Sequence, residues 1–597
     1  MKKLPIIESN KRPYTIQQKP RFYIKESEND KEKFNTLKNY DIAISYYTKI
    51  INNNKSNSNF LIKRAICYLA KGFYTLALKD ALKSIKLDPK YLKGYYIAAL
   101  SYLEMYDIEK AEKISKDKNQ KLTSLIENKK KEIKLKSKKF KSYPIYIKFL
   151  KELYKYDAYF PKLEIYFYSD EYRGVCAKSK ILKEEIIMTI PKECLISLEL
   201  ALETNIGKEI GKFMYSELNS PKHCLLSAFL LTEEKSKKWK FYFDLLPKDF
   251  SNFPIFYTEK ELEYLKGSPF LNQVLDKKID MKMDYDKICY YIPSFNQFPY
   301  KKFCEARMMI SSRIFGIQIG ENKTDVLAPF ADLLNHKRPR QTQWYYDNVL
   351  ESFVIQAIED IDEGCEIFDS YGKKTNSRFL LNYGFALDNN DSSEYPLTVF
   401  FNDSYPLFEI KKNLFQNENE YVRIFNLNNN IYESQLLELL SFLRFLLFDG
   451  DVNVLYKAMT SNDNLIYDDI SLTFYYISPI SKELEIKVLK HLLLLCKKAL
   501  NNYPTTYEED EFIIKNKKNI SFNYRNCLLL LMSEKSVLSY YIYFCEYCLN
   551  LFYKDNEIEI LSKLSTDYKY SECQFDFYIQ EVIMKLIKNP KKNNRNE

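Results

Sequence analysis

The chain is poor in glycine, histidine and tryptophan, with 12, 3 and 2 copies in 597 residues. Its longer apolar runs, such as residues 492–496 and 527–532, fall far short of the roughly 18 residues that a membrane-spanning helix requires. Neither the Gly-x-Gly-x-x-Gly motif nor the phosphate-loop motif occurs, which argues against a nucleotide-binding βαβ unit. We therefore expect neither a membrane partner nor a dinucleotide site.

The 12 cysteines are scattered along the chain. One Cys-x-x-Cys pair occurs, Cys545 and Cys548, and no second pair lies nearby to complete the four ligands of a structural zinc site. We predict two core thiols on one helix face and no metal. The opening residues, MKKLPIIESNKRPY, lack an apolar core of signal-peptide length. These features predict a reduced intracellular compartment, the cytoplasm with or without the nucleus.

The formal net charge of +10 is small for a chain of this length. That value permits an acidic partner but does not require nucleic acid, which we do not expect. Lysine is concentrated in residues 119–148, which include the run KLTSLIENKKKEIKLKSKKFK and are predicted to form a basic helical linker. Such a run is typical of a solvated helix face. Contact with nucleic acid or an acidic tail is the alternative.

A repeat of 34 residues follows a polar start, residues 1–35, that we expect to be partly disordered. Tyr-x-x-Ala at positions 40–43 recurs at 74–77, and Ala65 recurs as Ala99. This is the period of tetratricopeptide helix pairs, in which small alanines let helices approach closely. Residues 36–118 therefore resemble a short tetratricopeptide array. Such an array either binds a protein partner on its concave face or is a packing module without a ligand.

The middle of the chain has a mixed α+β pattern. From residue 149 to 390, short β-branched runs bounded by turns predict strands, interrupted at about 198–310 by a helical insertion. Residues 391–585 have a helical pattern, and 586–597 form a polar tail. The run ESQLLELLSFLRFLLF, from 433 to 448, is apolar on most faces, which predicts a buried helix.

One of the three histidines lies in the sequence DLLNH, at residues 332–336. This segment is the third of four that stand out in the middle region: YRGVCAKSKILKEEIIMTIP, SSRIFGI, LAPFADLLNH and FDSYGKKTNSRFLLNYGF. Together and in this order, with a helical insertion after the first, they resemble the SET-domain protein methyltransferases. The subgroup they resemble is that of the Rubisco large-subunit methyltransferase, and the resemblance covers residues 149–387.

The resemblance implies an α+β fold. It predicts a SET-type β core with a helical insertion, flanked by the tetratricopeptide-like α-helical array and by a C-terminal all-α substrate-binding domain. Residues 501–511 and 529–538 are similar to that subgroup's substrate-binding domain. The cofactor it implies is S-adenosylmethionine. The cysteine-rich zinc cluster that many other SET enzymes carry is missing after Tyr383, which favours this subgroup over the chromatin enzymes.

Cofactor-binding residues are implied by the same resemblance. Asn335 and His336 are expected to hold the amino-acid and adenine parts of the cofactor, with Asp332 supporting the turn. Arg173 and Gly174 are expected to lie where backbone wraps around the cofactor. The remaining members face the methionine part through their main chain, namely Glu185, Ile186 and Ile187.

Tyr371 matches the family's catalytic tyrosine. Arg313 matches an arginine near cofactor and substrate, with a surface ion pair as the alternative. Tyr383 matches an aromatic residue of the lysine channel, with a core tyrosine as the alternative. Trp344 and Tyr346 are expected to form a further wall of that channel, so Arg313, Tyr371, Tyr383, Trp344 and Tyr346 are the predicted substrate-binding residues.

Methyl transfer of this kind is a displacement from a sulfonium to an uncharged amine. A lysine of pKa ~10.4 is neutral in only about one part in 2,500 at pH 7, a cost of roughly 4.6 kcal/mol. An apolar channel lowers that pKa, and oxygen acceptors orient the amine. The resemblance favours lysine of a non-histone protein as acceptor. Histidine, histone lysine, and a catalytically inactive protein-binding scaffold are the alternatives.

Overall fold

The computed structural model describes residues 37–53, 57–116, 120–169, 172–414, 421–428, 433–460, 477–517, 519–554 and 576–588. The predicted polar start and residues 589–597 of the predicted tail lie outside these ranges. The chain divides into two compact units. The first comprises Lys2–Lys248 and Asp280–Gly372, and the second comprises Asp249–Ile279 and Lys373–Glu597. The predicted helical insertion is therefore shared between both units.

The first unit begins with the predicted helical array. Its helices are α1 (Leu37–Asn53), α2 (Ser58–Lys71), α3 (Tyr74–Leu87), α4 (Leu92–Glu104), α5 (Ile108–Ser115) and α6 (Gln120–Lys139). The alanines at the repeat positions, Ala43, Ala65, Ala77 and Ala99, are at most 1% exposed. Their burial allows the close helix contacts that the spacing predicts.

The repeat extends to the backbone of the turns between helices. Gly72 and Tyr106, 34 residues apart, both adopt the left-handed conformation, with φ of +84° and +59°. A Cβ atom at Gly72 would lie 2.2 Å from Cβ of Pro161, so only glycine fits there. The resemblance to tetratricopeptide repeats thus includes a recurring turn as well as recurring alanines.

Helix α7 (Tyr143–Lys155) follows α6 and overlaps the end of the predicted linker. It begins with proline in its first turn and buries one face through Tyr143, Tyr146, Phe149, Leu150, Leu153 and Tyr154. A proline suits the first turn because that turn's amide groups have no intrahelical partner. The last part of the predicted linker is therefore packed structure.

Short strands form the β core of the first unit. They are β1 (Leu163–Phe167), β2 (Arg173–Ala177), β3 (Ile186–Pro191), β4 (Ile196–Ser197), β5 (Ile314–Ile319), β6 (Asn322–Leu327), β7 (Asn335–His336), β8 (Thr342–Asp347), β9 (Ser352–Ala357) and β10 (Glu366–Asp369). They pair in the orders β1-β2-β10-β7, β3-β9-β8 and β4-β6-β5. The pairing of β7 with β10 is parallel and sets Asn335 opposite Phe368 and His336 opposite Asp369.

Helices fill the sequence between β4 and β5, as predicted for the insertion. They are α8 (Leu198–Glu203), α9 (Asn205–Gly211), α10 (Met214–Glu217), α11 (Pro221–Thr232), α12 (Lys240–Phe243), α13 (Glu259–Leu262), α14 (Phe270–Tyr291) and α15 (Tyr300–Arg313). Helix α11 is buried along most of its length, through residues that include Leu225, Leu226 and Phe229. The α+β architecture expected of the middle region is confirmed.

The second unit is mainly helical. Its elements after residue 372 are α16 (Asn376–Tyr383), β11 (Glu394–Phe400), α17 (Phe408–Lys411), β12 (Val422–Asn428), α18 (Glu433–Leu447), α19 (Val452–Thr460), α20 (Lys482–Leu500), α21 (Tyr507–Asn516), α22 (Phe522–Phe552), α23 (Asp576–Tyr578) and α24 (Met584–Lys588). Within the described ranges, no helix combines the length and the apolar character needed to cross a bilayer.

The core of this unit agrees with two predictions and corrects one. Helix α18 is buried through Leu440, Phe442 and Leu443, and the thiols of Cys545 and Cys548 are both 0% exposed. The expectation of an all-α domain is wrong in one respect, because β11 and β12 form an antiparallel two-stranded sheet. Buried residues recur at every second position in both strands, at 395, 397 and 399 and at 425 and 427, the period of two expected of a strand.

Candidate active site

A strained turn opens the segment that contains the rare histidine. Phe330 has φ +80° and ψ −41° and precedes a 3₁₀ turn at Ala331–Leu333. For a non-glycine residue this conformation is costly and persists only where surrounding contacts enforce it. Here the Phe330 ring is fully buried and packs edge-to-face on Phe160, with ring centroids 4.5 Å apart.

Three consecutive backbone carbonyls of this segment are each held by a different side chain. Arg313 Nη1 donates to the carbonyl of Asp332 at 3.0 Å, and Arg173 Nη1 donates to that of Leu333 at 2.7 Å. Tyr371 Oη donates to the carbonyl of Leu334 at 2.9 Å. We call residues 330–336, fixed in this way, the anchored loop. Side chains predicted as site residues in three separate motifs therefore converge on it.

Asp332 lies at the base of the anchored loop. Its carboxylate, 0% exposed, forms an ion pair with Arg313 at 3.0 Å and accepts a hydrogen bond from Tyr242 Oη at 2.9 Å. Burial opposes the charge on Arg313, but the groups that face it, the Asp332 carboxylate first among them, together hold the pKa of Arg313 above its ordinary value. The ion pair expected as the alternative for Arg313 exists, but it is a buried pair that supports the turn.

Asn335 ties three segments together. Its Nδ2 donates to Glu366 Oε1 at 2.7 Å and to the backbone carbonyl of Arg173 at 2.9 Å. The asparagine amide nitrogen is therefore engaged by protein groups, which leaves its oxygen and the adjacent backbone for any ligand contact.

Glu366 was not identified from the sequence, although it occupies a buried strand position where an acidic residue is unusual. It is 3% exposed, and burial raises its pKa even though Asn335, Tyr168 and Tyr172 donate hydrogen bonds to it. Its Oε1 lies 2.2 Å from where a Cβ of Gly174 would be. Gly174 is thus required by the Glu366 carboxylate, a cause that the sequence did not show.

His336 and Tyr371 lie side by side. Their ring centroids are 5.0 Å apart, and the backbone N–H of Tyr371 donates to His336 Nδ1 at 3.0 Å. Because Nδ1 accepts, the proton of the neutral imidazole is on Nε2. Burial raises the pKa of the Tyr371 hydroxyl, and the guanidinium groups of Arg313 and Arg173 oppose only part of that increase. The hydroxyl therefore remains protonated at neutral pH.

The segment expected to face the methionine part contains a β-bulge. Ile186 pairs with Gln356 and Met188 with Ile355, so Ile187 has no partner opposite it on β9. Bulges leave backbone groups out of the ladder and are frequent beside active sites. By contrast, the Glu185 side chain is paired with Lys162 at 2.7 Å and its carbonyl accepts from Ala357.

The remaining predicted substrate residues have other surroundings. The Trp344 ring packs on Phe315 and Phe353 at 5.4 and 6.1 Å, within the packing of β8, β9 and β5. Tyr346, two residues along β8, is 8% exposed and lies opposite Phe353. Neither contact favours the channel-wall role predicted for Trp344 and Tyr346.

Tyr383 belongs to the second unit, where it ends α16 and contacts Phe379 at 5.8 Å between ring centroids. It also contacts the Phe385 ring at 6.2 Å, and Lys374 Nζ lies 5.9 Å from the centre of its ring. Tyr383 is half-buried, and its role in the lysine channel stays a prediction.

The anchored loop and its surroundings fit S-adenosylmethionine. Asp332 Oδ1 and Arg313 Nε are buried and have no hydrogen-bond partner within the described part of the chain. Such groups are costly unless a ligand or water satisfies them. The amino-acid end of the cofactor carries an ammonium and a carboxylate, which match an acidic oxygen, a guanidinium N–H and the open backbone at Ile187.

Comparison with known proteins identifies two domains. The model of the SET domain matches residues 172–372, and that of the Rubisco LSMT substrate-binding domain matches 402–538. The chain thus carries a SET domain followed by a Rubisco LSMT substrate-binding domain. The expected resemblance and the expected fold are thereby confirmed.

Among its relatives are protein N-methyltransferases of two specificities. A chloroplastic fructose-bisphosphate aldolase lysine N-methyltransferase of Arabidopsis thaliana is 26% identical, over 65% of this chain and 78% of the relative. The chloroplastic Rubisco large-subunit N-methyltransferase of Nicotiana tabacum is 25% identical, over 61% and 74%. The actin-histidine N-methyltransferase of Homo sapiens is 24% identical, over 62% and 63%.

Solved structures show the same fold. The SET domain of LSMT bound to lysine and AdoHcy is 21% identical, with a TM-score of 0.56 over 73% of this chain and 98% of the other. Rubisco LSMT bound to AdoMet is 21% identical, with a TM-score of 0.54 over 71% and 95%. At this identity the likeness concerns the fold alone.

Proposed function

We propose that this SET-domain protein transfers a methyl group from S-adenosylmethionine to a side-chain nitrogen of another protein, with lysine of a non-histone protein as the acceptor. The observation that carries the proposal is the junction of His336 and Tyr371. The two residues are joined by a 3.0 Å hydrogen bond, and the Tyr371 hydroxyl reaches the loop carbonyl of Leu334 at 2.9 Å. The relatives named for lysine methylation support the choice of acceptor.

The cofactor supplies an electrophilic methyl group on a sulfonium. Asn335, His336 and the bulge at Ile187 would hold it, with Asp332 and Arg313 shaping the turn beneath. Such a site works by alignment, because an in-line displacement gains most from fixing the reacting atoms. The anchored loop meets that need, since three of its carbonyls are already fixed by side chains.

Tyr371 is a positioning and electrostatic residue in this proposal. Its hydroxyl is protonated and donates to the carbonyl of Leu334, so its oxygen keeps lone pairs with which it can accept. A neutral phenol is a poor general base, since proton abstraction requires a group with a pKa near the working pH. The incoming amine must therefore lose its proton before it reaches Tyr371, and solvent is the acceptor of that proton.

Histidine is the second candidate acceptor. The actin-histidine methyltransferase of Homo sapiens is nearly as similar as the lysine enzymes, at 24% identity. A histidine acceptor needs no costly deprotonation, because an imidazole of pKa ~6.5 is mostly neutral at pH 7. The two acceptors therefore predict different pH dependence. Lysine methylation should increase steeply from pH 7 to 9, whereas histidine methylation should already be near its plateau.

The test is transfer of labelled methyl to the proteins of a cell extract, followed by mass spectrometry of the labelled residue. We expect a gain of one or more methyl groups on lysine, and loss of the label with Tyr371→Phe. Tyr345→Phe is the matched control, because Tyr345 is 38% exposed on β8. Label on histidine would favour the second candidate, and stronger labelling of free histones would favour a chromatin substrate. Cofactor binding without any transfer would identify an inactive scaffold and refute the proposal.

A further inference from the structure

Helix α7 lies before the residues matched by the SET model. Three of its side chains nevertheless contact residues that in turn contact the anchored loop. We propose that α7, supported by the N-terminal array, is part of the cofactor site, with Tyr146 as a positioning residue for Arg173. The inference rests on the function proposed above and states which part of the chain before the SET match that function needs.

The first connection is polar. Arg173 Nε donates to Tyr146 Oη at 3.0 Å, and Nη1 of the same guanidinium donates to the carbonyl of Leu333 at 2.7 Å. Arg173 is therefore held from α7 while it holds the loop. The Tyr146 ring is itself fixed, because it packs edge-to-face on Phe167 at 5.2 Å and is 7% exposed.

The second connection passes through Tyr242. The Phe149 ring, 2% exposed, stacks on Tyr242 at 6.2 Å between ring centroids. Tyr242 in turn donates its hydroxyl proton to the Asp332 carboxylate at 2.9 Å. Phe149 thus limits the position of Tyr242, whose hydroxyl donates a hydrogen bond to Asp332 Oδ2.

The third connection is aromatic throughout. Tyr154 packs on Phe160 at 4.5 Å, and Phe160 packs on Phe330 at 4.5 Å. Phe330 is the residue with φ +80° at the start of the anchored loop. A strained residue needs surrounding contacts to keep it in place. The aromatic contacts that begin at α7 supply them.

The array holds α7 from the other side. Lys151 Nζ forms an ion pair with Asp107 at 2.9 Å, and Asp107, 5% exposed, also caps the N-terminus of α5. Tyr74 on α3 packs on Tyr154 with ring centroids 5.7 Å apart. The array is thus joined to α7 by an ion pair whose carboxylate is buried and by a ring contact, and α7 is joined to the loop by three routes.

Tyr146→Phe tests the polar route with the smallest change. It keeps the ring on Phe167 but removes the acceptor of Arg173 Nε. We expect about tenfold weaker binding of S-adenosylmethionine, which corresponds to one charge-assisted hydrogen bond. Amide hydrogen exchange in residues 331–336 of the cofactor-free protein should become faster. Tyr143→Phe is the matched control, because Tyr143 lies on the same helix and packs on the same Phe167 ring at 5.8 Å.

A double-mutant cycle distinguishes positioning from general stability. If Tyr146 acts through Arg173, Tyr146→Phe should have no further effect on cofactor affinity in an Arg173→Met background. Additive losses would overturn the positioning role, and so would unchanged affinity and exchange in Tyr146→Phe. For the array, Asp107→Asn should weaken cofactor binding measurably. A lower melting temperature with unchanged affinity would overturn that part.

Cofactor binding by calorimetry also separates this inference from the proposed function. A parent protein that fails to bind S-adenosylmethionine refutes the function itself. A parent that binds it, with Tyr146→Phe binding equally well, refutes only the role of α7.

Discussion

Replacing Tyr371 with phenylalanine removes one hydroxyl and little else. The ring would keep its contact with His336 at 5.0 Å, and the backbone N–H would still donate to His336 Nδ1 at 3.0 Å. What disappears is the 2.9 Å hydrogen bond to the carbonyl of Leu334, together with the oxygen proposed to act as an acceptor in the site. The two losses have different consequences and can be measured separately.

The loss of the hydrogen bond acts on the folded protein. A typical intramolecular hydrogen bond contributes about 1 kcal/mol to the free energy of unfolding. The loss of a preorganised dipole at a reacting centre costs about 10²–10³ in kcat, or about 3–4 kcal/mol of transition-state stabilisation. We therefore expect a small decrease in the melting temperature and a large decrease in turnover. Cofactor affinity should fall by about tenfold at most, less than turnover, because only one of the three side-chain anchors of the loop is lost.

The assay combines single-turnover transfer of labelled methyl with calorimetric titration of S-adenosylmethionine. Tyr345→Phe controls for the loss of a tyrosine hydroxyl elsewhere on the β core. The reasoning would be refuted by a Tyr371→Phe variant that transfers methyl at the parental rate. It would also be refuted by a variant that loses cofactor binding while its turnover at saturation is preserved.

Three further predictions concern the residues around Tyr371. Asn335→Ala removes the donor to Glu366 and to the carbonyl of Arg173. Cofactor binding measured by calorimetry should therefore weaken about 10- to 100-fold, before turnover at saturation changes. Unchanged affinity would exclude Asn335 from the site. Gly174→Ala would bring a Cβ to 2.2 Å from Glu366 Oε1 and should weaken cofactor binding. Adding Glu366→Asp to the same chain shortens the side chain and should restore part of the lost affinity. Absence of any rescue would contradict the steric cause. Burial raises the pKa of Asp369 to about 6, above its value in the unfolded chain. Its contribution to stability is therefore complete at acidic pH and is lost as the pH rises from about 4 through 6. Asp369→Asn should remove that decline from a profile of melting temperature against pH, and an identical profile in both proteins would show that Asp369 is not its source.

Much of the fold could be predicted because its signals are local. Periods of two and of 3.6 residues are visible along a single segment, and the 34-residue spacing identified the buried alanines of the array. The pairing of β11 with β12 was missed because the residues that pair are far apart in sequence. Tyr395 lies opposite Leu427, and nothing in either segment alone specifies the other.

The candidate site was predictable where motifs carried it. The order of four segments placed the Asn335–His336 pair beside Tyr371, and the structure brings them together. The supports of the site were not predictable in the same way. Arg173 reaches a carbonyl 160 residues away, and Tyr146 is one of 51 tyrosines. Such contacts depend on side-chain geometry that no spacing encodes.

The central claim is that the anchored loop and Tyr371 border one site for S-adenosylmethionine. A crystal structure of the full chain with S-adenosylhomocysteine tests it most directly. The account predicts that the ligand contacts the backbone at Ile187 and at Asn335–His336, with its sulfur toward the Tyr371 hydroxyl. A ligand bound elsewhere on the chain, with the anchored loop untouched, would contradict it.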